Sequence, residues 1–198
     1  MRVILASLVL AFATGCSHSV TNPNAYFSFA AATGVNSDTD VAAQKRTLKI
    51  HSIKLSGIAD QQAIVQIQPD NQVSVAQHHF WAEHPNDMLS KKLHNLLSNK
   101  LDLWQVVSAN VPTSGYNTIY LMVEVTEFAG HYEAGTLLSG SWYLYEKNNT
   151  SDQLLAYQNF TLSEPLTKDG FPALVRALET SWMQVAKQIA KQLHALEN

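Results

Sequence analysis

The chain contains a single cysteine, Cys16, so no disulfide can form within it and its stability has to come from a packed core. Charge is also sparse: Asp, Glu, Lys and Arg make up 15% of the 198 residues, and the formal net charge is -3. Lys and Arg are scattered rather than grouped, which excludes the cationic surface that a phosphate backbone demands, so no nucleic-acid partner is expected. Long apolar runs are missing too. The opening run, residues 3–12 (VILASLVLAF), falls well short of the ~20 residues of a membrane-crossing helix. No internal repeat or low-complexity tract interrupts the chain. A hydrophobic content of 46% argues against wholesale disorder and for one folded domain.

What is present begins with a leader. Met1 and Arg2 form a short positive start, residues 3–12 an apolar stretch, and Ala13, Thr14 and Gly15 a small-residue approach to Cys16, which is the layout of a cleaved secretory signal. The segment Ala13-Thr14-Gly15-Cys16 resembles the lipobox of bacterial lipoproteins, with Ala13 standing where Leu is preferred. The resemblance implies diacylglycerol on the Cys16 thiol, the lipid-attachment site, and cleavage just before it. An ordinary signal peptide followed by a free thiol is the alternative. One acyl chain holds a protein to a bilayer only marginally, at about 0.8 kcal/mol per buried CH₂, whereas two or three chains hold it stably. Ser17 in place of Asp resembles the sorting signal for the inner leaflet of the outer membrane. The expected organisation is a signal peptide over residues 1–15, a lipidated linker over 16–23, and a periplasmic domain over 24–198.

Within that domain, Tyr26-Phe27-Ser28-Phe29 is expected to form a first strand and residues 34–40 (GVNSDTD) a loop. Residues 47–57 (TLKIHSIKLSG) alternate over most of their length and suggest a second strand. Residues 62–68 and 72–77 suggest two more, around the Pro69-Asp70-Asn71 turn. From Asn86 the period becomes helical, with Leu89, Leu93, Leu96, Leu97 and Leu101 on one side, and Asn86 or Asp87 can cap it. Residues 104–107 follow as a strand. Residues 118–128 and 137–145 form the clearest hairpin, residues 148–152 a turn, and residues 154–162 another strand. From Phe171, a stripe of Leu174, Leu178, Trp182, Val185, Ile189, Leu193 and Leu196 predicts a long amphipathic helix. The fold class expected is α+β, a largely antiparallel sheet with two helices packed on one face.

Three stretches carry a resemblance: Ala25-Tyr26-Phe27-Ser28-Phe29; Gln61-Gln62-Ala63-Ile64-Val65 leading to His79-Phe80-Trp81-Ala82-Glu83; and Val123-Glu124-Val125-Thr126-Glu127-Phe128 with Gly140-Ser141-Trp142-Tyr143-Leu144. In that order they resemble the ABC-type transport auxiliary lipoproteins, the paraquat-inducible protein C family. The family has Pro directly after Trp-Ala-Glu, where this chain has His84 and then Pro85, and Arg around the Ile-Val pair, where it has Gln. The resemblance implies an accessory subunit of an envelope lipid-transport system. Such a subunit docks a periplasm-spanning protein with mammalian-cell-entry domains and is itself compatible with homo-oligomer formation. Activation or stabilisation of another envelope machine, such as a cell-wall synthase, is the alternative partner reading, and carriage of a lipid in the domain's own cavity is a third.

Catalysis is not expected. Glu124, Glu127 and Glu133 read as solvated strand charges, and no nucleophile with an evident base or phosphate-binding glycine loop is present. Of the eight histidines, His78, His79 and His84 stand closest, but neighbours on a strand point to opposite faces, and no second Cys completes a zinc set. Neither a metal nor another cofactor is expected. The sequons at Asn148 and Asn159 read as turn and strand residues. Trp104 and Trp182 read as core. Trp81 and Glu83 are the candidate partner contacts, with Trp81 serving either as a hydrophobic staple at the head of the helix or as an anchor for a partner.

Overall fold

Ile119, Leu121, Val123 and Val125 alternate with Tyr120, Met122 and Glu124, which makes a strand with one apolar and one mixed face, and the whole sheet is assembled on it. The computed structural model describes residues 23–31, 46–113, 117–147 and 151–197. The leader, Cys16, the 34–40 loop and the Asn148 sequon lie outside these residues. The described chain runs β1 (Ala25–Phe27), β2 (Arg46–Ile50), β3 (Lys54–Leu55), β4 (Ala63–Ile67), β5 (Val73–Trp81), α1 (Pro85–Ser98), β6 (Trp104–Ser108), β7 (Thr118–His131), β8 (Gly135–Lys147), β9 (Asp152–Leu162) and α2 (Phe171–Ala195).

One edge of β7 is taken along its length by β8, antiparallel, with β9 antiparallel beyond it. The other edge is shared in succession by β2, β3 and β4, all parallel to β7. From there the sheet forks. Outside β2 lies β6, parallel; outside β4 lies β5, antiparallel, and then β1, parallel to the end of β5. The α+β class is as expected, with two helices on a sheet whose long pairings are antiparallel and whose short ones are parallel.

Both helices bury their stripes against the same side of the sheet. Leu174, Leu178, Trp182, Val185, Ile189 and Leu193 of α2 join Met88, Leu89, Leu93 and Leu97 of α1 in one core with Leu121, Val123, Trp142 and Leu144. Each such side chain stabilises the fold by about 1.5–3 kcal/mol through its burial. The indole Nε1 of Trp182 donates to the Leu89 carbonyl at 3.1 Å, which satisfies a polar atom deep between the helices. Lys92 of α1 and Glu179 of α2 form an ion pair whose side chains are only 11% and 12% exposed. Both also grip the chain just after β1: Lys92 Nζ donates to the Ala30 carbonyl at 2.9 Å, and the Ala30 amide donates to Glu179 at 3.2 Å.

Local departures from the sequence reading have identifiable causes. The expected strand over 47–57 is two strands, because the chain leaves the sheet between β2 and β3. There the Ile53 amide donates to Ser90 Oγ on α1 at 3.0 Å, and Ser90 donates in turn to the Asn86 carbonyl at 2.6 Å. β5 runs to Trp81 because β1 pairs with its end, Phe27 opposite Trp81. His84, rather than Asn86 or Asp87, is the N-cap of α1; it makes no side-chain capping bond, and Pro85 and Asp87 occupy the first turn. The hairpin turn is tighter than expected, closing from His131 to Gly135. The ring of His131 accepts the amides of Glu133 and Ala134 at 3.2 and 3.1 Å. A bulge between Val125 and Glu127 leaves Thr126 without an opposite residue, so the inward face passes from odd positions to Phe128.

Candidate docking face and basic groove

The residues singled out in the sequence divide between core and surface. Trp81 is only 2% exposed. Its ring stacks on Phe128 with centroids 5.1 Å apart and meets the edge of Phe29 at 6.0 Å, while its backbone is held on both sides by Gln62. A side chain so enclosed offers no surface to a partner, and the candidate contact at Trp81 is corrected to a core role. Glu83, two residues on, keeps a third of its side chain exposed and pairs with Lys91 of α1. That hydrogen bond and charge hold the Lys91 ammonium above its ordinary pKa.

The three histidines diverge. His78 meets Asn24, His79 stacks on Phe171 at 3.8 Å, and His84 lies between Asp60 and Asn86. Among the described residues no group of three or more His, Cys, Asp or Glu is placed to hold a metal ion. Glu124 is occupied by Lys54 at 2.8 Å on the open side of the sheet. No described helix is long and apolar enough to cross a membrane.

Two surface features escaped the sequence reading. The first is the helix-free face of β7, β8 and β9. Tyr120 pairs with Tyr145, Met122 with Tyr143, and Tyr143 in turn with Tyr157. The Tyr120 and Tyr145 rings stack at 5.4 Å and the Tyr143 and Tyr157 rings at 6.3 Å, as expected of cross-strand neighbours. Tyr157 is 62% and Leu154 54% exposed. The alternation in the hairpin already placed Tyr120 and Met122 on the face away from the core; what it lacked was the register that lines them up.

The second is a groove of about 650 Å³ where the parallel strands β2 and β6 end beneath α1. His51 and Ser52 enter it from the break after β2, Ser90, Lys91, His94 and Asn95 from α1, and Ser108 and Asn110 from the end of β6. His51 stands at the corner between groove and open face. Its Nε2 meets the Tyr145 hydroxyl at 3.0 Å, and its ring lies 5.9 Å from that of Tyr120 and 6.3 Å from that of Tyr145. Burial, and then the charges of Lys147 and Lys49, hold the His51 pKa below the ordinary histidine value. Both lysines also approach the Tyr120 ring, at 4.7 and 5.9 Å. Burial likewise raises the Tyr145 hydroxyl.

With this geometry in hand, comparison with known proteins places the chain. Residues 27–190 match the family model described as the ABC-type transport auxiliary lipoprotein component. The intermembrane transport lipoprotein PqiC of Escherichia coli is 28% identical over 196 residues, covering 99% of this chain and all of its own, and the same holds for PqiC of Shigella flexneri. Among solved structures, an uncharacterised protein at 24% identity superposes with a TM-score of 0.72, covering 86% of this chain and 99% of its own. Protein XCC0632 of Xanthomonas campestris, at 17% identity, reaches a TM-score of 0.58 over 79% of this chain and 93% of its own. These two structures bear on the fold alone.

Proposed function

Because the chain belongs to the family of ABC-type transport auxiliary lipoprotein components, we propose that it is an outer-membrane-anchored accessory lipoprotein of an envelope lipid-transport system. In this reading it docks a mammalian-cell-entry-domain protein across the periplasm. The observation that carries the reading is the full-length likeness to a lipoprotein named for intermembrane transport. That likeness extends through the leader, where Cys16 follows Ala13-Thr14-Gly15. Lipid on Cys16 ties one end of the chain to the inner leaflet of the outer membrane, and the folded domain acts by contact. The family is one of transport auxiliary components, not of enzymes.

Glu83 remains the candidate contact, since it stands just past β5 with part of its side chain exposed on a rigid support: Trp81 is fixed in the core and the Ala82 amide donates to the Phe27 carbonyl at 2.7 Å. Crosslinking in cells followed by purification of the lipoprotein tests the docking. Recovery of a protein with mammalian-cell-entry domains is expected, and recovery of a peptidoglycan synthase in its place overturns the reading. Mass spectrometry of the mature N-terminus tests the anchor; an unmodified Cys16 thiol removes it.

A further inference from the structure

We propose that the groove at the ends of β2 and β6 is a binding site for a phosphate-bearing group. The groove, about 650 Å³, has the size of a small-molecule site. It opens where two parallel strands, β2 and β6, stop at Ile50 and Ser108, so the residues that follow each strand face one another beneath α1. The lining is one-sided in charge. Lys91 supplies an ammonium and His94 and His51 two imidazole rings, that of His51 held toward its neutral form, and no carboxylate is among the lining residues, in a chain with more acidic than basic residues.

Around those groups stand neutral donors, the hydroxyls of Ser52 and Ser108 and the side-chain amides of Asn95 and Asn110. They belong to three separate stretches, the break after β2, α1 and the end of β6, so donors are offered from several sides of the groove. A tetrahedral oxyanion with several acceptor oxygens satisfies such donors, whereas a planar carboxylate leaves part of them unused. Lys49 and Lys147, close enough to act on His51, lie over the Tyr120 ring outside the groove and add positive potential at the His51 corner. Lys91 is held by Glu83 but remains 68% exposed, free to turn between its carboxylate and an arriving anion.

Calorimetric titration of the full lipoprotein in nonionic detergent decides it. The probes are sn-glycerol 3-phosphate, glycerol, and dihexanoylphosphatidylglycerol below its micellar concentration. Saturable binding of glycerol 3-phosphate without binding of glycerol is expected. The double variant Lys91→Gln, His94→Gln, on the outward side of α1, is expected to weaken binding about tenfold or more with unchanged thermal melting. Lys187→Gln on α2 is expected to leave it as it was. Dihexanoylphosphatidylglycerol binding about tenfold tighter than glycerol 3-phosphate assigns the group to a lipid head, and equal affinity assigns it to a free phosphate ester. Absence of saturable binding by both phosphate ligands, or an equal loss in Lys187→Gln, overturns the proposal.

Discussion

The two faces of the β7–β8–β9 sheet are built from the same strands and read alternate residues of them, yet they have opposite fates. Leu121, Val123, Trp142 and Leu144 are fully enclosed beneath α1 and α2. Tyr120, Met122, Tyr143, Tyr145 and Tyr157 face away from the helices and pair among themselves across the strands. On the covered side a side chain is surrounded in all directions, so removing it leaves a cavity. On the open side a tyrosine touches its ladder neighbours and water, and its removal exposes little that was dry. Stability is therefore concentrated on the helix-covered face, and the other carries only a small buried cluster of Val65, Ile67 and Ala129 away from the tyrosines.

The strongest way to break this contrast is Trp182→Ala, which removes both the buried ring and its bond to Leu89. Chemical denaturation should show a loss of about 3–5 kcal/mol, and a loss below about 1 kcal/mol would deny that the helices are closed through this ring. Next comes Lys92→Met, which leaves Glu179 buried beside Ala30 without its cation. A destabilisation of about 3 kcal/mol is expected, and Glu179→Leu added to it should restore much of that loss. Gly140 sits where the two faces share backbone. A Cβ there would lie 2.1 Å from the Glu124 carbonyl oxygen and 2.8 Å from the Phe160 ring, so Gly140→Ala should cost about 1–3 kcal/mol.

At the small end, Tyr157→Ser on the open face should cost less than about 1 kcal/mol. A loss comparable to Trp182→Ala would erase the distinction between the faces. The subtlest test concerns His51. Its folded pKa lies below the ordinary value of 6.5, so the unfolded chain takes up its proton first as pH falls. The stability His51 contributes is present above pH 6.5 and is lost as pH drops through the folded pKa. Lys147→Gln removes one of the charges responsible, and an NMR titration should show the His51 midpoint moving upward.

How far the sequence revealed this depends on the range of the interaction. The stripe of α2 is local and sustained, so the spacing of Leu174 to Leu193 alone assigns those side chains inward. The hairpin is equally legible, since alternation sets which side chains share a face. The break after β2 is not, because its cause is the Ser90 hydroxyl on a helix 37 residues ahead of Ile53. Trp81 is instructive in the same way. Its neighbours in sequence suggest a staple or an exposed anchor, whereas its partners in space, Phe29 and Phe128, lie far from it in the chain. The groove is hidden for the same reason: His51, His94 and Asn110 meet only once the parallel register of β2 and β6 is set. Cys16, the most legible feature of the sequence, lies outside the described residues.

Strand β7 also sets an order of events in time. β2, β3 and β4 all find their place by pairing with it, and the partners of each lie more than 60 residues further along the chain. During synthesis from the N-terminus, the first half of the protein can close the β4–β5 hairpin, but it has no common strand to dock on until residue 131 is available. Such non-local pairing delays folding to roughly the millisecond-to-second range. A chain arranged in this way cannot complete its sheet until β7 has emerged, whatever local hairpins form before it.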